Sequence, residues 1–409
     1  MTRVIFDLSR LISRVRHSTP SGVDRVEMAY ARGLLARLGA DDLAFAAVHP
    51  SGLYGRLDRG AALAYLDELE RRWAQEEGGR GQRSLVSVLP WMKALLPTRK
   101  GVGDWPGALY LQVSPHHLTR QDRIAGLLGR ERARFVCLVH DLIPIEYPEY
   151  ARPSGADLHR QRMASVANLA DLVIANSVAT GASFARWVER GDPLLEAGVT
   201  VPPIHAALLG TEPVAAVEPF RFADARPYFL CLGTIEPRKN HLALLHLWRA
   251  MAETMEPAAI PRLVIVGRRG WENEQVLDML DRCPALAPHV EELSGCPDKR
   301  LAALLRGARA LLMPSFAEGF GMPVAEALSV GTPVVCSDIA AMREVGGDVP
   351  DYRDPLDGPG WLAAILDHAG EGPLHQAQRA RVPAWRAPSW DAHMDGVLAR
   401  LEALSPVCA

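Results

Sequence analysis

The sequence has little cysteine, and what it has is scattered. Cys137, Cys231, Cys283, Cys296, Cys336 and Cys408 form no CxxC pair and fall far short of the density of a small disulfide scaffold, which fits a reduced compartment. No His/Cys cluster has ligand spacing, so no structural or catalytic metal centre is expected. No GxGxxG follows a first strand, which sets aside a dinucleotide oxidoreductase. No segment reaches the roughly 20 apolar residues of a membrane span. The amino-terminal apolar stretch is too short for a signal peptide, so a cytoplasmic chain is expected. Charge of one sign is also missing. Lys plus Arg number 45 and Asp plus Glu 48, a net charge of −3, so no global field would hold the protein on nucleic acid. A local basic patch remains open.

What is present is a long chain with ample apolar material. Its 409 residues favour two domains, and hydrophobic and charged fractions of 48% and 23% are those of a globular protein with sizeable cores. Short β-rich runs at Val4–Asp7, Leu43–Val48, Ala108–Val113, Phe135–Leu138 and Leu172–Ala175 alternate with helical stretches. After a Pro- and Ala-rich connection, Val201–Pro227, the rhythm resumes at Tyr228–Gly233, Arg262–Gly267, Val290–Ser294, Ala310–Met313 and Pro333–Cys336. The pattern predicts an α/β chain of two doubly wound, Rossmann-like domains facing a central cleft, with ligands beyond the carboxyl ends of the strands. The expected boundaries are 1–215, 216–385 and a closing helix at 386–409 that packs back on the first domain. Between 68 and 100 the rhythm weakens. Glu76–Gly81 reads as a loop, and the apolar and basic run Leu85–Lys100 reads either as a helix packed on its own domain or as a surface for a membrane or lipid-like acceptor.

Two stretches carry chemistry. In Pro314–Leu328, Gly319 and Gly321 allow tight backbone geometry after a strand, and Pro323 suits the first turn of a helix. Free amides at Phe320, Gly321 and Met322 would then face an anion with the positive end of the helix dipole behind them. Glu318 and Glu326 flank that turn. In Tyr228–Asn240, Gly233 and Thr234 end a strand where a ligand can approach the backbone, while Arg238 and Lys239 can bring two cations to a diphosphate. Solvated surface charges are the alternative, made less attractive by the second anion-binding loop in the same domain.

Together these stretches resemble retaining glycosyltransferases of the GT-B fold, the family 4 group. The segments carrying the resemblance are Gly233–Asn240, Val264–Gly267 and Glu318–Glu326, with Asp298–Ala308 matching a family helix and Arg343–Asp348 a later acidic, glycine-containing loop. The resemblance is close from about Tyr228 to Pro355. It implies that Glu318 contacts the donor sugar, Glu326 the ribose, and Arg238 and Lys239 the diphosphate of a UDP-, GDP- or similar nucleotide sugar. It places the nucleobase against backbone near Leu293 to Cys296, including Gly295, behind the loop after Gly267. In the first half, Val139-His140-Asp141 through Pro144 resembles the family's His-Asp-x-x-Pro segment, which implies that His140 approaches the transferred sugar through its ring or its carbonyl. Asn176-Ser177 resembles a stretch on the acceptor side. Thr19–Arg25 resembles the amino-terminal glycine loop with Gly22 as its glycine, although a second adjacent glycine is absent. Arg25, Arg160 and Arg162 read equally as acceptor contacts and as surface charges.

The implied reaction is metal- and cofactor-independent transfer of a hexosyl group, with retention, to a saccharide or lipid-linked glycan, in polysaccharide biosynthesis. The chain would be cytoplasmic, with peripheral contact at the inner membrane face as an option, and its oligomeric state is open. The competing readings are a nucleotide-sugar epimerase, a phosphorylase and a noncatalytic glycan-binding protein on the same fold.

Overall fold

The computed structural model describes residues 2–17, 20–75 and 84–404. Thr19, the expected loop at Glu76–Gly81 and Cys408 lie outside them. The chain forms two units. Unit 1 comprises Met1–Ile145, Ser154–Gly210 and Ser389–Ala409, and unit 2 comprises Glu146–Pro153 and Thr211–Pro388.

Unit 1 is built on β1 (Val4–Asp7), β2 (Leu43–Val48), β3 (Tyr54–Arg56), β4 (Leu109–Gln112), β5 (Arg134–Val139), β6 (Leu172–Ala175) and β7 (Ile204–Ala206), in the order β3-β2-β1-β4-β5-β6-β7. All neighbours are parallel except β2 and β3. Unit 2 is built on β8 (Tyr228–Leu232), β9 (Arg262–Val266), β10 (Val290–Leu293), β11 (Ala310–Met313), β12 (Val334–Ser337) and β13 (Asp351–Arg353), in the order β10-β9-β8-β11-β12-β13, all parallel. The central strands are continuous apolar runs, such as Tyr228–Leu232 and Ala310–Met313, and are buried along their whole length because helices cover both faces of a parallel sheet. The α/β architecture is the expected one.

The sequence reading missed β3, β7 and β13. Each is a three-residue strand at the end of its sheet, too short for an apolar run to show. Two loops prove to be helical. The helix Gly22–Arg37 starts inside the expected glycine loop, because Ser21 and Asp24 cap it reciprocally, leaving Gly22 as its first residue. Arg343 to Gly346 form the second half of the helix Ala340–Gly346, and the chain turns only at Gly347, at φ +58°.

The closing helix Trp390–Leu404 belongs to unit 1. Arg37 bonds Asp395 at 2.7 Å and Asp391 at 2.8 Å. The Tyr30 hydroxyl donates to His393 Nε2 at 2.6 Å, the ring having given its Nδ1 proton to the Leu208 carbonyl. A Cβ at Gly33 would lie 2.6 Å from Met394 Cγ, so glycine is what lets the two helices meet.

Candidate functional site

In unit 2 the strand order reverses between β8 and β11, which opens a crevice at their carboxyl ends. Both chemistry-bearing stretches leave from there. The chain after β8 runs through Gly233 and Thr234 into the short turn Pro237–Lys239, and the chain after β11 runs through Pro314 to the helix Met322–Ser329. The Phe316 amide donates to the Arg238 carbonyl at 2.8 Å, tying the two loops together.

Glu318 is the hub. Its side chain is 8% exposed, and its carboxylate accepts from Lys239 Nζ, from Arg238 Nη1 at 2.8 Å and from Ser315 Oγ at 2.8 Å. Burial alone would raise its pKa, but the charges of Arg238 and Lys239 and their hydrogen bonds outweigh burial and hold it down to about 2. Arg238 also pairs through Nε with Glu236 at 2.7 Å and donates to the Ala317 carbonyl at 2.9 Å. The two cations therefore stand against two carboxylates, Glu236 and Glu318. The Lys239 ammonium has three protons, so donors remain there for a ligand that approaches beside Glu318.

The backbone shapes the floor. Gly233 adopts φ +136°, and a Cβ there would sit 3.2 Å from Lys239 Cε. Gly267 passes so close that a Cβ would lie 1.7 Å from the Gly233 carbonyl oxygen. The Gly233 amide donates to Val266 at 3.0 Å and the Gly267 amide to Leu293 at 3.0 Å, so the ends of β8, β9 and β10 form one ledge, with Gly295 exposed just beyond it. Thr234 packs toward Gly270, where a Cβ would meet its methyl at 2.8 Å. Gly321 caps the next helix at φ +103°, Pro323 occupies its first turn, and no side chain caps that end. The amides of Phe320, Gly321 and Met322 thus sit where an anion profits from the helix dipole. Gly319 and half-buried Glu326 flank this turn, Glu326 lying on the helix itself.

His140 and Gly22 belong to unit 1. His140 follows β5 and is half-buried, and its Nε2 proton goes to the Val113 carbonyl at 2.8 Å. Burial pushes its pKa down, so the ring is neutral at pH 7. Its own carbonyl already accepts from Asn176 Nδ2 at 2.8 Å and Thr180 Oγ1 at 3.4 Å, which occupies the lone pairs the carbonyl route would need. Ser177 caps the helix Val178–Arg190 by accepting from the Thr180 amide.

Several residues at the unit 2 site escaped the sequence reading. Ser315 and Glu236 hold Glu318 and Arg238, and only their closeness in sequence to those residues could have flagged them. His241 is buried with neither ring nitrogen hydrogen-bonded, and burial together with Lys239 lowers its pKa to about 4. The segment Glu146–Pro153 brings Tyr150 onto Phe316, rings stacked at 5.7 Å, while Trp271 Nε1 donates to the Tyr150 carbonyl at 3.0 Å. No local pattern could have announced that contact, because its partners are far apart in sequence.

Comparison with known proteins falls on the same region. Residues 216–349 match the family described as Glycosyl transferases group 1. O-antigen chain mannosyltransferase B of Escherichia coli is 36% identical over 154 residues, 38% of this chain and 40% of that protein. D-inositol 3-phosphate glycosyltransferase of Segniliparus rotundus is 32% identical over 180 residues, 42% of this chain and 39% of that protein. The match thus spans less than half the length of these relatives. Among solved structures, sucrose-phosphate synthase from Thermosynechococcus elongatus superposes with TM-score 0.63 at 16% identity, covering 99% of this chain and 100% of that one. Anabaena HepE in complex with UDP gives TM-score 0.60 at 16% identity, covering 98% and 100%. These likenesses show the fold, which is that of the GT-B glycosyltransferases.

Proposed function

We propose that the chain, whose residues 216–349 form a glycosyl transferases group 1 domain, transfers a hexosyl group from a nucleotide-diphosphate sugar to a hydroxyl of a saccharide or lipid-linked glycan in polysaccharide biosynthesis. The observation that carries this reading is the switch-point crevice of unit 2, where Arg238, Lys239 and the Gly321 turn converge around the buried Glu318 carboxylate. Departure of the nucleoside diphosphate is the difficult event, and the positive charges of Arg238 and Lys239 and the helix amides stabilise the charge growing on the leaving oxygen. Glu318 orients the sugar hydroxyls, and His140 supports the sugar through its neutral ring.

The same geometry supports retention. A carboxylate held at about pKa 2 by two cations is a weak base and a poor nucleophile, so Glu318 neither deprotonates the acceptor nor forms a glycosyl ester. The leaving phosphate oxygen then takes the acceptor proton on the face it departs from, a route that asks nothing of a metal or an added cofactor. Several relatives are named as mannosyltransferases, which makes a mannosyl donor the first to try. The test is incubation with a panel of nucleotide sugars. Release of free nucleoside diphosphate and a product with the donor's anomeric configuration by NMR support the proposal. Interconversion of the donor epimers would favour an epimerase, and binding without turnover a glycan-binding protein. Glu326→Ala should weaken nucleoside diphosphate binding about tenfold, the worth of one ribose hydrogen bond to a charged group, and unchanged affinity in calorimetry would remove the ribose assignment.

The proposed site of action is the cytoplasmic face of a membrane. Among the described residues no helix is long and apolar enough to cross a membrane. The helix Leu85–Ala94 buries Val88, while Val86 is 82% and Leu89 50% exposed, followed by exposed Leu96, Lys93, Arg99 and Lys100. Apolar residues beside cations suit an anionic lipid surface. The double substitution Val86→Asp and Leu89→Asp should abolish sedimentation with vesicles containing phosphatidylglycerol; persistence of binding would discard this contact.

A further inference from the structure

Unit 1 has its own reversal of strand order, between β1 and β4, and its contents are unlike those of unit 2. The helix Ser9–Ser13 leaves β1 carrying Arg10, His116 follows β4, and His140 follows β5. The helix Gly155–Leu169 is pinned alongside by His159 Nε2, which donates to the Asp141 carbonyl at 3.0 Å, and Arg162 stands about one turn further on. These groups feel one another's charge. Arg10 and Arg162 both act on His116, and Arg10 acts on His140 and on Arg162.

The charges here do not close. Arg10 and Arg14 share a single carboxylate, Asp24, each at 2.7 Å. Asp7 and Glu27 are deeply buried, and that burial pushes both toward their neutral forms. Asp141 Oδ1 accepts from the Ile143 amide. Arg162 is half-buried, its Nε is shut from solvent, and that nitrogen has no hydrogen-bond partner among the described residues. Its neighbour Arg160 differs, being paired with Asp192 at 2.9 Å. The structure thereby separates two arginines that read alike in the sequence. A half-buried guanidinium without an ion pair among the described residues is costly, and a ligand anion would compensate it.

Resting on the transferase reading above, we propose that the crevice at the carboxyl ends of β1, β4 and β5 is an oxyanion subsite for the acceptor, in which the Arg162 fork, Arg10 and a His116 N–H hold the phosphate or carboxylate of an anionic saccharide. The guanidinium fork matches either oxyanion through two parallel hydrogen bonds. The acceptor class then narrows from any glycan hydroxyl to one beside a phosphate or a uronic carboxylate.

The test titrates inorganic phosphate at constant ionic strength with UDP or GDP saturating, so that the unit 2 crevice is filled, and follows thermal midpoint and calorimetric heat. Arg162→Gln should weaken phosphate binding about tenfold or more, as expected for a charge-assisted pair, while Arg160→Gln leaves it in place. Without phosphate, Arg162→Gln should keep or raise the midpoint, because it removes an uncompensated charge. An equal drop with and without phosphate would mark a structural arginine and overturn the proposal. Should Arg162→Gln fail to fold, Arg162→Lys keeps the charge and loses the fork, and unchanged phosphate affinity there would be equally fatal. Donor consumption is then compared with a hexose 6-phosphate, a uronic acid and the neutral hexose as acceptors. Preference for the first marks a phosphate acceptor and for the second a carboxylate acceptor, and Arg162→Gln erases whichever is found; equal rates with all three overturn the subsite. Absence of nucleotide binding would instead overturn the transferase reading and leave the phosphate result standing.

Discussion

Lys239→Ala lowers kcat by about a hundred- to a thousandfold, the range for removing one preorganised donor from a developing oxyanion, and changes KM much less. Lys239 is buried, its ammonium meets Glu318, and an ammonium has two further protons to offer the departing diphosphate. That donor matters most when charge has moved onto the leaving oxygen, which is why kcat carries the loss. Steady-state kinetics with the preferred nucleotide sugar gives the two constants separately. A variant that unfolds would not speak to this, so circular dichroism accompanies the kinetics. Gly233→Ala is the companion experiment. It keeps the charge but places a Cβ about 3.2 Å from Lys239 Cε at a backbone φ of +136°, so it should shift the ammonium and reduce kcat in the same direction. Full turnover in Lys239→Ala would remove leaving-group stabilisation from this residue.

Glu318→Gln lowers the stability of unit 2 by about 3–5 kcal/mol at pH 7, the usual cost of taking one partner from a buried ion pair. Two cations lose their shared carboxylate, and Ser315 Oγ loses a charged acceptor. The pH dependence has a definite sign. The carboxyl pKa falls from the ordinary 4.5 to about 2 on folding, so its stabilisation is fully present above pH 4.5 and is lost as pH falls toward 2. That shift corresponds to about 3 kcal/mol, in line with the cost of the mutation. Calorimetric melts from pH 6 to pH 2 should therefore show a steeper acid loss in the wild type than in Glu318→Gln. Parallel curves would mean that the Glu318 pairs contribute no stability.

The site in unit 2 was legible to the extent that its chemistry is local. Glu318, Gly321, Pro323 and Glu326 lie in one strand–turn–helix passage, and Gly233, Arg238 and Lys239 in another, so glycine, proline and charge at short spacing announced both. What the spacing could not show was that the two passages meet as salt bridges and neutralise each other. Cations and a carboxylate some 80 residues apart read as separate donor contacts until β8 and β11 are seen side by side. The edge strands β3, β7 and β13 and the cap at Ser21 were missed for the opposite reason: three residues, or one side-chain hydrogen bond, leave too faint a periodicity.

Composition, strand rhythm and the two glycine-bearing turns by themselves determined an α/β chain with two parallel sheets and two charged, glycine-bearing turns after strands of its second half. Those properties depend on neighbours a few residues apart, which a linear reading resolves. Only the tertiary structure decided which charges are already compensated. Arg160 and Arg162 are two residues apart on one helix, yet one faces Asp192 and the other has a buried Nε with no partner among the described residues, because successive helical positions point in different directions and the packing of other elements decides what each one meets.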